Sequence, residues 1–120
     1  FYEYGADGSK EVWSGLAELY GATTSPLSDA DAKDRLLFRQ VIEALKCLET
    51  GVLRTVADGN IGSIMGIGAP AWTGGLLQFV NTYGLQNFID RCASLSAAYG
   101  ERFQAPAIVA EKLARNETFV

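Results

Sequence analysis

The stretch SDADAKDRLLFRQVIEALKCLETG, residues 28–51, decides the fold. Ser28, followed three residues later by Asp31, resembles a capping box with Asp in place of Glu, so a long helix is predicted to begin there. Gly51 is predicted to end this helix. Apolar residues recur at helical spacing on one face, and charged residues occupy the opposite face. The apolar face holds Leu37, Val41, Ala44, Leu45 and Leu48, and the charged face holds Arg35, Arg39, Glu43 and Lys46.

Upstream of this stretch, the sequence predicts an extended arm and a short helix. Three of the first four residues are aromatic, and glycine and aspartate follow, which indicates an arm over residues 1–8 that ends in a turn. From Glu11 to Tyr20 the apolar residues recur at helical spacing, with Gly21 as a candidate C-cap. A proline-containing loop over residues 22–27 is then predicted to lead into the long helix.

Downstream, the first predicted element is a short helix with Thr55 and Asp58 as candidate capping residues. This helix runs through Ile61, Ile64 and Met65, although two glycines within it lower its helix propensity. A loop that contains glycine and proline, residues 66–72, is predicted to follow it.

Three further helices complete the prediction. The first has Thr73 as its N-cap and ends at Gly84, and the second follows at once and ends at Gly100. The last begins near Pro106 and is predicted to fray at Asn116. No period-2 pattern is longer than the opening arm, so the fold class is all-α: a single compact bundle of five or six short helices around one core.

Composition bounds the class of protein. With 120 residues, 48% of them hydrophobic, residues 1–120 fit one domain. The 10 basic residues are scattered among 14 acidic ones, so no nucleic-acid surface is expected. No apolar run is long enough for a membrane span, and no signal peptide opens the chain. We therefore expect a cytoplasmic protein, and the start at Phe1 suggests a fragment of a longer one.

Histidine is absent from the sequence, and this restricts the chemistry. A Ser/His/Asp or Cys/His nucleophile system and a histidine zinc cluster are both excluded. Cys47 and Cys92 fall within helical patterns and are expected to be reduced, buried thiols. We expect no catalytic residue, no metal site and no cofactor site in this chain.

Asp34 is an exception on the long helix, because it projects beside Leu37, Val41 and Leu45 and not with the charged face. A carboxylate on an apolar stripe requires a partner. Two interpretations remain open. Asp34 is either a carboxylate at the rim of the core that pairs with a nearby Lys or Arg, or a residue with a functional role.

A glycine-rich motif lies at residues 66–71 and formally matches the dinucleotide fingerprint G-x-G-x-x-[GA]. Its context argues against nucleotide binding, because a helical pattern precedes it and Pro70 lacks an N–H. We instead expect these glycines to permit a tight turn and a close approach between the backbones of two helices. Next to them, Trp72, Thr73, Gly74 and Gly75 form either a loop that receives a ligand or partner, or a core tryptophan above a glycine-mediated helix crossing.

Several short motifs follow one another along the chain: Phe1 to Tyr4, Asp34 to Leu37, Glu43 to Val52, Asn60 to Gly68, Pro70 to Gly75 and Tyr99 to Phe103. Taken in this order, they resemble the C-terminal domain of the 3-hydroxyacyl-CoA dehydrogenase family. The resemblance covers nearly the whole chain and looks closest to the second of two such repeats in multifunctional fatty-acid oxidation enzymes, which also carry an enoyl-CoA hydratase domain. It implies a 6-phosphogluconate dehydrogenase C-terminal-like bundle.

The resemblance also implies where the chemistry of such an enzyme lies. Hydride transfer between NAD and the 3-hydroxyl of an acyl-CoA takes place on an upstream Rossmann domain, with a His and Glu pair that this chain lacks. The first repeat supplies an Asn to the active site, and this chain has Asp34 at the matching position. The substitution implies a repeat without the catalytic assignment. Ala69 and Ala71, where relatives commonly carry Phe and Pro, argue against a contact between this loop and acyl chains.

Three functions follow as hypotheses. The first is a structural and interaction domain that packs against the upstream Rossmann domain and the first repeat, with Asp34, Pro70, Trp72, Thr73, Gly74 and Gly75 at the interface or near the substrate. The second is a free-standing module that binds acyl-CoA or another thioester at residues 66–75. The third is an autonomous enzyme. Homodimer formation is a further expectation, and mitochondrion and peroxisome are alternative locations.

Overall fold

The computed structural model describes residues 1–21 and 27–120. Within them the chain is all-α with one small two-stranded sheet, as the sequence predicted in class. The predicted loop over residues 22–27 lies, apart from Leu27, outside the described residues. In chain order the elements are β1 (Tyr2–Tyr4), β2 (Lys10–Val12), α1 (Gly15–Tyr20), α2 (Asp29–Glu49), α3 (Val56–Ile67), α4 (Leu76–Tyr83), α5 (Leu85–Tyr99) and α6 (Ala107–Ala114), with 3₁₀ turns at Ala71–Thr73 and Glu101–Phe103.

The N-terminal region corrects two predictions. The arm is the first strand of a hairpin in which β1 and β2 pair antiparallel, with Tyr2 opposite Val12. The helix predicted from Glu11 begins only at Gly15, and Gly21 caps it as expected. Strand pairing overrides the helical spacing of the apolar residues here, because the hairpin provides hydrogen bonds to their backbone groups and a stretch this short fits either period.

The long helix α2 has the ends that the sequence predicts. The Oγ of Ser28 accepts a hydrogen bond from the backbone N–H of Asp31 at 3.1 Å, which satisfies one of the free amides of the first turn. Gly51, just beyond the helix, has the positive φ of 75° that favours glycine. On the charged face, Glu43 pairs with Arg39 at 2.5 Å and with Lys46 at 3.2 Å.

The core lies where α2 meets α4 and α5, and aromatic rings occupy its centre. Phe38 is fully buried and stacks on Phe88 with 4.8 Å between ring centroids. It also packs edge-to-face with Phe79, with 5.9 Å between the centroids. Fully burying one such side chain contributes about 1.5–3 kcal/mol. The buried apolar residues are Phe38, Val41, Ile42, Leu45, Ala69, Leu76, Leu77, Phe79, Val80, Leu85, Phe88, Cys92, Leu95, Phe103, Val109 and Phe119.

The C-terminal end departs from the prediction of a fraying helix. Asn116 adopts a left-handed conformation with φ of 54°, which Asn tolerates better than most residues, and the chain turns back. Phe119 is then 1% exposed. Asn81 of α4 holds it with two hydrogen bonds, accepting from the Phe119 N–H at 2.9 Å and donating to its carbonyl at 2.8 Å. Phe119 is thus part of the core, although Val120 beside it is exposed.

Candidate functional site

Four of the six predicted site residues line one cavity. The cavity has a volume of about 600 Å³ and lies between α2, α4 and the 3₁₀ turn Ala71–Thr73. This volume is within the range of small-molecule sites. Gly74 and Gly75, the other two predicted residues, are not among its lining residues. These are Lys33, Asp34, Leu36, Leu37, Gln40, Pro70, Trp72, Thr73, Phe79, Thr82 and Tyr83.

Trp72 lies at the mouth of this cavity. Trp72 is 74% exposed, so it is not a core tryptophan. Its indole packs edge-to-face with the ring of Phe79, with 6.2 Å between the ring centroids. A large aromatic surface is therefore held in place on one side and open to solvent on the other, which is the arrangement expected where a ligand or partner is received.

Asp34 is paired within the chain. The Nε of Arg91, on α5, donates to Asp34 at 2.7 Å, and another nitrogen of the same guanidinium donates to Asp31 at 2.5 Å. Tyr99 donates to the second oxygen of Asp31 at 3.3 Å. The Asp34 side chain is 29% exposed, so it is a carboxylate at the rim of the core with an arginine partner.

This cluster of Asp31, Asp34 and Arg91 also shifts pKa values within it and next to it. Hydrogen bonds, first from Arg91 and then from Tyr99, lower the pKa of Asp31 below 3.8, although partial desolvation opposes the change. The two carboxylates raise the pKa of Arg91, and burial raises the pKa of the nearby Tyr83 phenol. The cluster is a fixed arrangement of charges that joins α5 to the first turns of α2.

Thr73 does not cap α4, contrary to the prediction. The helix begins at Leu76 with Gly75 as the preceding residue, and Thr73 lies in the 3₁₀ turn before it. The Thr73 hydroxyl donates to the carbonyl of Pro70 at 2.7 Å and accepts from the N–H of Gly75 at 3.1 Å. Its hydrogen bonds thus stabilise the turn that presents Trp72, because the turn and not the helix lies within its reach.

The N-terminus of α4 is capped by side chains from α3. The amide of Asn60 accepts from the N–H groups of Leu77 and Gln78, at 3.1 and 2.9 Å. Ser63 accepts from the N–H of Leu76 at 3.2 Å. The first amides of α4 are therefore already bonded, and they offer no place for a pyrophosphate.

Glycines have a structural role on both sides of this junction, in the motif at residues 66–71 and at Gly75. Its first residues end α3, and Gly68 is the left-handed C-cap with φ of 70°. Gly75 has φ of 111°, and a Cβ there would lie 2.5 Å from the Cα of Asn60. Close approach between α3 and the start of α4 is the reason that glycine stands at position 75. For Gly66 and Gly68 the predicted close approach is wrong, because a Cβ at either position would meet nothing within 4 Å.

The outer face of α3 is apolar and exposed. Ile61 and Met65 lie one turn apart and are 64% and 81% exposed, while the inner face is formed by Gly59 and Ser63. Large apolar side chains side by side on one helix face are typical of surfaces that meet another protein element.

Both cysteines are free thiols, but only Cys92 is buried as predicted, and Cys47 is half-buried. Burial raises the pKa of the Cys92 thiol to about 12, so it stays protonated and unreactive. Among residues 1–21 and 27–120, no group of three or more Cys, Asp or Glu side chains is placed to hold a metal ion. None of the helices in the described part has the length and apolarity needed to span a membrane.

Comparison with known proteins gives the family. No family model matches the chain. The chain is 36% identical over 104 residues, 86% of its length, to the fatty acid oxidation complex subunit alpha of Vibrio cholerae. The subunit of the same name from Shewanella amazonensis is 32% identical over 122 residues, 99% of this chain. The chain is a homologue of part of the fatty acid oxidation complex alpha subunit.

The chain spans only a small part of these relatives. The matches amount to 15% of the alpha subunit from Vibrio cholerae and 17% of that from Shewanella amazonensis. The alpha subunit of Shewanella baltica, 35% identical over 108 residues, gives the same share of 15%. The resemblance found in the motifs is thus confirmed over nearly the whole chain, as similarity to one segment of a much longer alpha subunit.

In this alpha-subunit homologue, sequence reasoning missed the polar residues that hold the site together. Asn60 and Ser63 were noted only as members of a motif, and Arg91 was not noted at all. A signal was present for the first two, because two small polar residues three apart lie among the apolar residues of α3. No local signal marks Arg91, because its partner Asp34 is 57 residues away.

Proposed function

We propose that the chain is the second helical repeat at the C-terminal end of a multifunctional fatty-acid oxidation enzyme, and that it is inactive alone. In this proposal the parent is an NAD-dependent 3-hydroxyacyl-CoA dehydrogenase that also carries an enoyl-CoA hydratase. The similarity to alpha subunits over 86 to 99% of the chain carries the proposal. The sequence supports it further, because it contains no histidine for a general base.

The repeat acts by packing against its neighbours in the parent. The exposed Ile61 and Met65 on α3 and the exposed Trp72 provide apolar surface that a contact with the upstream Rossmann domain or the first repeat would remove from water. NAD belongs to the Rossmann domain, and the acyl-CoA substrate to the parent. The proposed location is the cytoplasm.

Asp34 is proposed as part of the contact between the two repeats. It lines the cavity beside Trp72, and its ion pair with Arg91 of α5 fixes the orientation of its carboxylate. In the parent enzyme, Asp34→Ala is expected to weaken the association of the domains more than it changes turnover per folded molecule. A fall of several orders of magnitude in turnover, with fold and assembly intact, would contradict this role.

The test is an activity measurement on the parent with and without this repeat. NADH oxidation with acetoacetyl-CoA is measured for the intact parent, for the parent cut before Phe1, and for the cut parent with the 120-residue chain added back. We expect low activity in the cut parent and recovery on addition, because the repeat completes the neighbouring site by packing. Full activity of the cut parent, unchanged by addition, would exclude the proposal.

A control separates packing from other effects of the added chain. Met65→Glu places a charge on the exposed face of α3, and Val52→Glu places one on another exposed residue outside that face. We expect the first variant to restore less activity than the second, because only the first introduces a charge into the proposed contact.

A second candidate function is a free-standing module that binds acyl-CoA or another thioester at residues 66–75. The cavity of about 600 Å³ beside Trp72 favours it. Its test uses the chain alone, with Trp13→Phe so that Trp72 is the single tryptophan, and follows indole fluorescence during titration with acetoacetyl-CoA. Saturable quenching would support the module, and an unchanged spectrum up to millimolar ligand would exclude it.

A further inference from the structure

A second cavity, which shares Leu36 and Gln40 with the one at Trp72, is lined by three arginines. It has a volume of about 580 Å³ and lies between the first half of α2 and the 3₁₀ turn Glu101–Phe103. Arg35, Arg39 and Arg102 line it, and none of its described lining residues is acidic. In a chain with a net charge of -4, this concentration of positive charge is a local departure.

Two of these guanidinium groups have hydrogen-bonding capacity to spare. Arg35 lies over the ring of Tyr99, 4.3 Å from its centroid, and its buried Nε has no hydrogen-bond partner among the described residues. Arg102 forms no ion pair within residues 1–21 and 27–120. Buried donors are normally satisfied, so an unsatisfied one beside a cavity indicates that something else satisfies it.

The third arginine is held in a fixed position. Arg39 is paired with Glu43 at 2.5 Å, and it donates to the backbone carbonyl of Arg102 at 3.2 Å. This contact ties the 3₁₀ turn to α2, which places the Arg102 side chain at the rim of the cavity. Arg39 shares Glu43 with Lys46, so its charge is only partly compensated. Arg35 and Arg102 form no ion pair in the described part of the chain and add to the positive charge.

The remaining walls are mainly apolar. Leu27, Ala32, Leu36 and Phe103 provide hydrocarbon surface next to the guanidinium groups. Guanidinium groups bind carboxylates and phosphates through paired hydrogen bonds, and apolar walls favour a hydrocarbon body. We propose that this cavity binds a small amphipathic organic anion, with a carboxylate or phosphate head at Arg35 and Arg102 and an apolar tail along Leu36 and Phe103. The site does not depend on the function proposed above.

The test measures binding of three probes with the same eight-carbon tail to the 120-residue chain. Octanoate carries a carboxylate, octyl phosphate a phosphate, and octanol no charge. Shifts of backbone amide signals locate the binding, with Ala32 and Arg102 reporting this cavity and the Trp72 indole reporting the other. We expect saturable shifts at Ala32 and Arg102 with octanoate or octyl phosphate, and none there with octanol. The head group that binds more tightly identifies the source of the anion as a free acid or a phosphate ester.

A pair of variants tests whether Arg102 contributes to binding of the anion. Arg102→Gln removes an exposed guanidinium and is expected to weaken binding about fivefold. Arg54→Gln is the matched control, because Arg54 is also exposed but does not line the cavity, and it should bind as the wild type does. Equal binding of octanol, shifts centred on Trp72, no shifts up to millimolar probe, or an unchanged affinity of Arg102→Gln would each overturn the proposal.

Discussion

Residues 1–21 and residues 27–120 are both rich in large apolar side chains, yet they use them in opposite ways. Residues 1–21 include Phe1, Tyr2, Tyr4 and Trp13, and no residue of this region is buried. The helical region buries a continuous core around Phe38. A two-stranded hairpin and a six-residue helix have too little surface to cover one another. Apolar residues define what can be buried, whereas the available partner elements determine what is buried.

The largest expected effect follows from removing the centre of the helical core. Phe38→Ala leaves a cavity between α2, α4 and α5 and is expected to lower the free energy of unfolding by about 4 kcal/mol. The matched change in the N-terminal region, Tyr4→Ala, is expected to change it by less than about 0.5 kcal/mol. Urea unfolding followed by circular dichroism measures both, and similar losses would remove the contrast between the regions.

The next effect tests the junction of α3 and α4. Gly75→Ala places a Cβ 2.5 Å from the Cα of Asn60 at a φ of 111°, so we expect a loss of about 3 kcal/mol in stability. Gly74→Ala is the control. It also has a positive φ, but its new Cβ would meet only the flexible side chain of Gln78, and the expected loss is about 1 kcal/mol. Equal losses would show that backbone conformation, and not close approach, selects glycine at position 75.

A smaller effect is the dependence of stability on acid. Because the pKa of Asp31 in the folded chain lies below 3.8, its ion pair contributes stability above that pH and loses it as the pH falls through the folded pKa. Other lowered carboxyl pKa values, such as that of Glu43, add to the acid dependence. We therefore compare wild type with Arg91→Gln. Unfolding midpoints in urea from about pH 5 downward should fall less steeply in the variant, and parallel curves would mean that Arg91 does not set the pKa of Asp31.

The smallest effect is expected from deleting residues 1–21. None of these residues contributes a buried side chain, so the free energy of unfolding of the remaining chain should change by less than about 0.5 kcal/mol. Thermal unfolding of the truncated and complete chains gives the comparison. A large loss would mean that the hairpin supports the helical region through contacts at its surface.

The helical region was predicted more correctly from the sequence than the N-terminal region. The ends of α2 were predicted because Ser28, Asp31 and Gly51 signal them within a few residues. The all-α class followed from the helical spacing of apolar residues in the four later helices, although Thr73 was wrongly predicted to cap α4. The hairpin was missed because strand pairing joins residues such as Tyr2 and Val12 across a turn, while the spacing around Val12 also fits a helix.

For the candidate site, the sequence singled out residues that share one cavity, but it did not identify their partners. Their role at an interface or near a substrate stays a prediction. Asp34, Pro70, Trp72 and Thr73 do line one cavity, and the odd position of Asp34 correctly indicated a partner. Arg91 could not be identified as that partner, because many arginines fit a carboxylate and only the packing of α5 on α2 selects one. The burial of Phe119 could not be predicted from the sequence either, because the residue that holds it, Asn81, is 38 residues away.

The capping of α4 by Asn60 and Ser63 has a consequence for local motion. Any opening that separates α3 from α4 leaves the amides of Leu76, Leu77 and Gln78 without their acceptors. Exchange of these amide hydrogens with solvent deuterium is therefore coupled to the departure of a different helix. The two helices form one cooperative opening unit, and the turn that carries Trp72 lies between them.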